Sequence, residues 1–426
     1  MTAVAVHSKF LAAAATTAST SYVDVTAAMA GLTASTKYLL IVQACIGGDN
    51  VSNTFGFQIV ERDTGETDLV VPNSEMIREP SNATKSSDYA WSGIVTTRSG
   101  GADSGFMFQQ KAVSSGTAKV DYVSIVAIDL SELTEGSDYF VSDNSASATH
   151  TTSSVQRVSH ELSSANAKDN SWLIMGFMQT DSNNSINSAE IVMKEVATSS
   201  GTTTMYTALF ESEDLTEQLQ HVLSYGKAYT VDETVTYSLW SRDDAGIVGF
   251  NEYIASSIVG LRLNVFEQYN VHYDATPDLD NDNSFNSRFT GSITPDTTGT
   301  FVFVGTMIAR LKSVGRILFE RLLVDTKSTP NSLLEETNAC RTYNFSDLIP
   351  VNVVATAEAT ADIASTYEYQ FKEAYTGTGV NGSGLVVFST EISSAITYNV
   401  IVTESTASGD DIAQTHQAGN VATETL

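Results

Sequence analysis

Three apolar runs of the sequence resemble one another and recur at an almost constant spacing. They read TKYLLIVQACIGGDN at 36–50, SWLIMGFMQTDSNN at 171–184 and TFVFVGTMIARLKS at 300–313. The apolar part of each starts at an aromatic residue, Tyr38, Trp172 or Phe301, and these residues are 134 and 129 positions apart. Self-similarity at a fixed period indicates a repeated structural unit, provided that other landmarks keep the same spacing.

Other landmarks do keep step with the apolar runs. A second strand-like segment follows each run and carries a glutamate at matching points: Glu61, Glu195 and Glu320. Alternating aromatic segments come next, GFMFQQKA, TYSLWSRD and TYEYQFKE, and then the apolar segments YVSIVAIDL, IVGLRLNVF and LVVFSTEI. We therefore predict a unit of about 130 residues present in three copies.

The character of these segments predicts an all-β chain. Runs of four to eight residues rich in Val, Ile, Tyr, Phe and Thr alternate with Gly, Asn, Asp and Ser turns. Such a density of strands fits three tandem antiparallel β-sandwich modules, either jelly-roll or Ig-like. We place them at 1–147, 148–278 and 279–426, and expect a flexible tail at the end of the third.

Two segments have helical features. Residues 212–226 offer capping residues and apolar side chains on one side, which predicts a short helix over a sandwich end, and 331–345 takes the equivalent place in the third copy. Residues 307–323 have a helical period too, but their alignment with the other copies favours two strands and a turn.

Composition restricts the function and the compartment. The formal net charge is −28, and a surface this acidic repels phosphates, so we expect no nucleic-acid partner. No signal peptide and no membrane-spanning run is evident, so we expect synthesis in a cytoplasm without membrane insertion. The two cysteines, Cys45 and Cys340, fall in different modules, and we expect no disulfide between them.

No arrangement of residues points to catalysis or to a cofactor. The six histidines lack metal-binding spacing, and no nucleophile elbow or phosphate-binding loop occurs. Glu61, Glu195 and Glu320 recur with the repeat, which favours a structural role over paired-carboxylate hydrolysis. We therefore predict no catalytic, cofactor-binding or metal residues and no enzyme activity.

Two charged clusters have a functional and a structural interpretation. Asp278, Asp280 and Asp282 alternate as at the start of a calcium loop, but the glycine and the closing glutamate of such a loop are missing. A polar linker explains them, with a weak cation site as the alternative. The third copy concentrates basic residues, either paired with nearby glutamates or forming a docking surface for an acidic neighbour: Arg310, Lys312, Arg316, Arg321, Lys327 and Arg341.

The opening segment SYVDVTAAMAGLTASTKYLLIVQA, residues 21–44, resembles bacteriophage virion structural proteins of the tandem β-sandwich type: capsid decoration, vertex or tail-associated components. This resemblance implies a non-enzymatic protein of the virion, assembled in the host cytoplasm. It implies that the partners are other virion proteins and further copies of this chain, as a homo-oligomer such as a trimer.

The alternative function is a receptor- or glycan-binding adhesin of a phage tail or cell surface, with a host surface glycan as partner. Exposed aromatic side chains would then stack on sugars. Trp172 and Trp240 fall on predicted core strands, which leaves Trp91 as the candidate. A polysaccharide depolymerase is a third class, but the short regular repeats of a parallel β-helix are absent from the sequence.

Overall fold

The chain is an all-β protein built from antiparallel sheets. Apart from the strands, the helix α1 covers Ser164–Ala167 and a 3₁₀ helix covers Leu263–Val265 within the described parts. The computed structural model describes residues 4–11, 14–50, 53–62, 65, 68–78, 87–99, 105–182, 187–212, 218–243, 250–277, 286–295, 298–311, 317–326, 329–340, 347–373 and 379–390.

The first set of strands forms two layers. One layer has the order β1-β10-β4-β8, with β2 beside β10, and the other places β3-β9-β5 beside the short strands β6 and β7. The bounds are β1 Val6–Leu11, β2 Ala15–Thr17, β3 Val23–Asp24, β4 Lys37–Gly48, β5 Phe55–Arg62, β6 Asp68–Val70, β7 Met76–Arg78, β8 Ser87–Thr96, β9 Gly105–Ala112 and β10 Ala118–Asp129.

The second set has the layers β11-β19-β14-β17 and β13-β18-β15-β16, with β12 beside β19. The bounds are β11 Tyr139–Asn144, β12 Ala148–Thr149, β13 Val155–Leu162, β14 Ser171–Ser182, β15 Asn187–Ala197, β16 Gly201–Ser212, β17 Gln218–Ala228, β18 Val235–Asp243 and β19 Phe250–Arg262.

The third set has the layers β20-β27-β22-β25 and β21-β26-β23-β24. The bounds are β20 Tyr269–Asp274, β21 Asn286–Ile293, β22 Gly299–Leu311, β23 Ile317–Thr326, β24 Thr329–Cys340, β25 Asp347–Ala359, β26 Ser365–Glu373 and β27 Gly379–Ser389.

Strand order is the same in the three sets. If the eight strand positions are numbered along the chain, one layer reads 1-8-3-6 and the other 2-7-4-5, with position 5 of the first set divided between β6 and β7. This double Greek-key order is that of a jelly roll rather than an Ig sandwich. We interpret the sets as three units and call the 1-8-3-6 layer of each its inner layer and the 2-7-4-5 layer its outer layer.

Strand pairing differs from the predicted boundaries by one strand. We placed 139–144 in the first module and 269–274 in the second. However, β11 pairs with β19 of the second unit, and β20 pairs with β27 of the third. The second unit therefore begins before residue 148 and the third before residue 279, because β11 and β20 each form the first strand of the inner layer of the unit that follows.

The helices predicted at 212–226 and 331–345 are wrong where the chain is described. Gln218–Ala228 is strand β17 and Thr329–Cys340 is strand β24. In β17 both faces are buried, and pairing with β14 along its whole length supplies the backbone hydrogen bonds. Tertiary pairing overrides the helical period there. The two-strand interpretation of 307–323 is confirmed, since β22 ends at Leu311 and β23 begins at Ile317.

The three apolar runs are the third strands of their units, β4, β14 and β22, and each is buried on both faces. In β4, Tyr38 and Leu40 face the interior of their own sandwich, while Leu39 and Ile41 contribute to a second core shared by all three units. A strand covered on both sides reads as a continuous apolar run instead of an alternating one.

Candidate functional site: the junctions between the units

The inner layers of the three units pack against one another. Their outward-facing residues on strand positions 3 and 8 form one common core, which contains Leu39, Ile41, Val126 and Ile128 of the first unit, Leu173, Met175, Val259 and Leu261 of the second, and Val302, Val304, Val386 and Phe388 of the third. Because these are equivalent register positions in each unit, the packing is that of a pseudo-threefold assembly within one chain.

The edges of the sheets close this assembly into a ring. Strand position 5 of one unit meets strand position 6 of the next: β7 pairs with β17 through Ile77 and Gln218, and β16 pairs with β25 through Leu209 and Leu348. The third junction brings β24 beside β8. Head-to-tail contacts of this kind generate a closed ring when the rotation between units closes.

A network of buried polar groups lies where the position-6 strands of the three units meet. The carboxylate of Asp88 accepts hydrogen bonds from Gln43 Nε2 at 3.0 Å and from Asn352 Nδ2 at 2.9 Å. Asn352 Oδ1 in turn accepts from Thr306 Oγ1 at 2.8 Å, and Thr306 Oγ1 lies 2.8 Å from Ser224 Oγ. The network therefore joins β4 and β8 to β25 and β22, and these to β17.

Desolvation dominates the titration of Asp88. Burial raises the pKa of its carboxyl to about 7, although the amide donors from Asn352 and Gln43 and the charge of Arg78 act in the opposite direction. A titratable group thus lies at the point where the first and third units are joined.

Three tyrosines fill the junction between the second and third units. Tyr206 Oη donates to the carbonyl of Ser224 at 2.9 Å, and Tyr273 Oη donates to the carbonyl of Met205 at 2.6 Å. The rings of Tyr206, Tyr225 and Tyr273 contact one another with centroids 5.6 to 6.2 Å apart. The backbones approach so closely that a Cβ on Gly384 would lie 3.0 Å from the Ser224 carbonyl oxygen.

At the corresponding places between the first and second units, the side chains are small. Gly93 has the register position of Tyr225, because it pairs with Leu40 and Tyr225 pairs with the equivalent Ile174. Asp143 has the register position of Tyr273, because it pairs with Ser257 and Tyr273 pairs with the equivalent Gly384. Val71, whose N–H donates to the Ile59 carbonyl, stands at the position of Tyr206, which pairs with Met193. Three tyrosines of one junction are therefore Val, Gly and Asp at the other.

This difference leaves a groove between the first and second units, with a volume of about 410 Å³. Trp91 and Phe177 form its aromatic wall, with ring centroids 6.0 Å apart. Leu69 and Val70 of β6 lie at its rim and are 52% and 43% exposed. Polar lining is supplied by Ser92, Asp143, Asn144, Ser256 and Ser257. A volume of 300–1,000 Å³ with mainly apolar lining and a few polar groups is typical of a ligand site.

Glu61 and Glu195 are buried where the repeat placed them, and both accept hydrogen bonds inside their sandwiches. The backbone N–H of Arg98 donates to Glu61 Oε1 at 2.8 Å. Tyr229 Oη donates to Glu195 Oε2 at 2.7 Å, and Lys227 Nζ pairs with Glu195 Oε1. These bonds join the outer layer to the inner layer of each sandwich. The side chain of Glu320 lies outside the described residues.

The described histidines do not form a metal centre. Burial lowers the pKa of His150 to about 4 and, with the charge of Arg78, lowers that of His221 to about 3. Within the described ranges, no three His, Cys, Asp or Glu side chains converge as metal ligands would. Asp278, Asp280 and Asp282, and the side chains of the six basic residues of the third copy, lie outside the described residues.

The tryptophan side chains do not present open faces. Trp172 is fully buried, and Trp91, the candidate for sugar stacking, is only 5% exposed. Trp240 is half-buried, and the ammonium group of Lys194 lies 4.3 Å from the centroid of its ring. The groove beside Trp91 forms between two units, so it could not be predicted from local sequence patterns. The one signal in the sequence is that three tyrosine positions of the second unit and its neighbour are Val71, Gly93 and Asp143 at this junction.

No helix in the described part of the chain is long and apolar enough to cross a membrane.

Comparisons with known proteins give distant similarities. No protein-family model and no curated protein matches the sequence. Among solved structures, infectious bursal disease virus, Gt strain, matches with 9% identity over 91% of this chain and 81% of that one, at a TM-score of 0.20. A triple jelly-roll protein of an archaeal virus turret matches with 11% identity over 85% and 90%, at a TM-score of 0.16. The tandem CBM22 modules of Paenibacillus barcinonensis Xyn10C match with 10% identity over 59% and 91%, at a TM-score of 0.20.

Proposed function

We propose that this chain is a non-enzymatic structural protein of a bacteriophage particle, assembled through the surfaces of its β-sandwiches as a capsid decoration, vertex or tail-associated component. The observation that carries the proposal is the closed ring of three units with jelly-roll strand order around a shared apolar core. Double-sheet jelly rolls are a recurrent building block of viral capsids.

A closed ring fixes the orientation of the three sandwiches, as assembly on a symmetric particle requires. The shared core and the paired edge strands hold three sandwiches in one orientation, so the outer layers are presented with near-threefold symmetry. Partners in this proposal are other virion proteins and further copies of the chain. The buried carboxylates of Glu61 and Glu195 form hydrogen bonds that join the two layers of their sandwiches, which supports a role without catalysis.

A glycan-binding adhesin receives less support from the geometry. Sugar recognition by stacking needs an exposed aromatic face. Trp91 and Trp172 are buried, and Lys194 covers the ring of Trp240.

The location of the chain on purified particles tests the proposal. Particles from the source that encodes the chain would be analysed by quantitative mass spectrometry and by cryo-electron microscopy. We expect the chain in many symmetric copies. Absence from the particle would overturn the proposal, whereas a few copies at a tail tip together with binding on a glycan array would favour the adhesin.

A further inference from the structure

We infer that the groove between Val71, Trp91 and Asp143 is a docking site for a partner-protein segment that inserts an aromatic side chain, tyrosine in particular, flanked by lysine or arginine. The inference goes beyond the proposed function, since it names the chemistry of the partner segment. It depends on the groove and its charges and not on which particle carries the protein.

The shape of the groove is the first argument. At the pseudo-equivalent junction, Tyr206, Tyr225 and Tyr273 occupy the space between an outer-layer edge and the next inner layer. In the groove these positions are Val71, Gly93 and Asp143, while the surrounding strands keep the same order. A Cβ on Gly93 would lie 2.7 Å from the Trp91 ring, so the indole takes part of the space that Tyr225 fills at the other junction, and the groove is the space that remains beside Val71 and Asp143.

Contacts available inside the groove fit a phenol ring. The rings of Trp91 and Phe177 line one wall and are only 5% and 3% exposed, so a phenol ring would pack against the ring edges that border the groove rather than stack on an open face. Within the described residues, the buried hydroxyl of Ser92 and the indole N–H of Trp91 have no hydrogen-bond partner. Both residues line the groove, and buried polar atoms are nearly always paired in native proteins, so the lining has unused hydrogen-bonding capacity.

Charge at the rim determines the flanking residues. Asp143 is exposed and forms no ion pair with any other described residue. The other carboxylate in the lining, that of Glu61, is buried and paired with Arg98, so the rim charge is that of Asp143, within a chain whose net charge is −28. A positively charged segment is therefore attracted to this rim, and an acidic one is repelled. The exposed Leu69 and Val70 add apolar surface for the segment that carries the aromatic residue.

Binding of short peptides to the full chain tests the inference. The probes are Ac-Arg-Tyr-Arg-NH₂, Ac-Arg-Ala-Arg-NH₂ and Ac-Glu-Tyr-Glu-NH₂, titrated by NMR at low salt. We expect saturable binding of the first peptide and binding about tenfold weaker or absent for the other two. Asp143→Tyr places in the groove the side chain that Tyr273 has at the junction between the second and third units, and it should abolish binding. Asp232→Tyr makes the same change at an exposed loop position outside the groove and should leave binding unchanged.

A conservative variant separates loss of binding from loss of folding. Asp143→Asn keeps the size of the side chain and should weaken the arginine-flanked peptide but not Ac-Gly-Tyr-Gly-NH₂. The inference is overturned if the first peptide fails to saturate, if folded Asp143→Tyr binds as well as the parent, or if a neutral hexose panel competes for the same NMR signals. None of these results bears on whether the chain is found on particles, so the two proposals can fail separately.

Discussion

Asn352 Nδ2 of β25 donates a hydrogen bond of 2.9 Å to the carboxylate of Asp88 on β8, across 264 residues of sequence. This bond joins the third unit to the first and belongs to a buried network that also reaches the second unit through Thr306 and Ser224. The polar network and the apolar core of the inner layers therefore both connect the three units to one another.

The stability of this junction should fall as the pH rises. Asp88 has a pKa of about 7 when folded and an ordinary value of 3.8 when unfolded, so the folded chain holds more protons between these values. Its contribution is therefore full below about pH 4, is lost as the pH approaches 7 and is constant above. Asp88→Asn removes this titration, and rotation of the Gln43 amide can supply an acceptor, since its Oε1 has no partner among the described residues.

Chemical unfolding at several pH values checks this. We expect the free energy of unfolding of Asp88→Asn, relative to the parent, to rise by on the order of 2 kcal/mol between pH 5 and pH 7. A difference between the two proteins that stays constant with pH would show that Asp88 is not the titrating group.

Glu195→Gln should destabilise the second unit. Glu195 is buried and accepts from Tyr229 at 2.7 Å and from Tyr225 at 3.3 Å, besides its ion pair with Lys227. Replacing the carboxylate leaves these donors partly unsatisfied, at a cost of about 2 to 4 kcal/mol. Glu190→Gln is the control on the same strand, because its pair with Arg242 is partly exposed and should contribute about 1 kcal/mol or less. Equal losses in urea unfolding would contradict the assigned role of Glu195.

Gly384→Ala should damage the junction between the second and third units. A Cβ there would lie 2.6 Å from Tyr206 Oη and 3.0 Å from the Ser224 carbonyl oxygen, so a strand or a tyrosine must shift. We expect a loss of about 1 to 3 kcal/mol. Ser257→Ala at the equivalent register position beside the groove should cost less than about 1 kcal/mol. Thermal unfolding of both variants measures the contrast, and a tolerated Gly384→Ala would refute close packing there.

Leu173→Ala should lower the stability of the whole chain in one transition. Leu173 is fully buried in the core that the three inner layers share, so the truncation should cost about 2 to 5 kcal/mol. Val196→Ala, at a 40% exposed position, should have little effect. Far-ultraviolet circular dichroism and near-ultraviolet circular dichroism should report the same midpoint. Separate transitions, with only one shifted by Leu173→Ala, would show that the units unfold independently.

Local patterns of sequence carried much of the fold. The strands around Tyr38, Trp172 and Phe301 were predictable because apolar β-branched and aromatic residues with nearby turn residues favour strands wherever they lie. Glu61 and Glu195 were recognisable as structural because they recurred in register. The predicted helix at 212–226 was wrong because the helical period of Leu219, Val222 and Leu223 also fits a strand buried on both faces.

By itself, the sequence determined that the chain is all-β and that its strand pattern recurs about every 130 residues, since strand propensity and turn chemistry act over a few neighbouring residues. Only the tertiary structure decided that β11 and β20 belong to the later units and that the inner layers share one core. It also decided that a groove lies between the first and second units, whereas tyrosines fill the junction between the second and third. These features depend on contacts between residues that are far apart in the chain, such as Asp88 and Asn352, and no local pattern encodes which strands will meet.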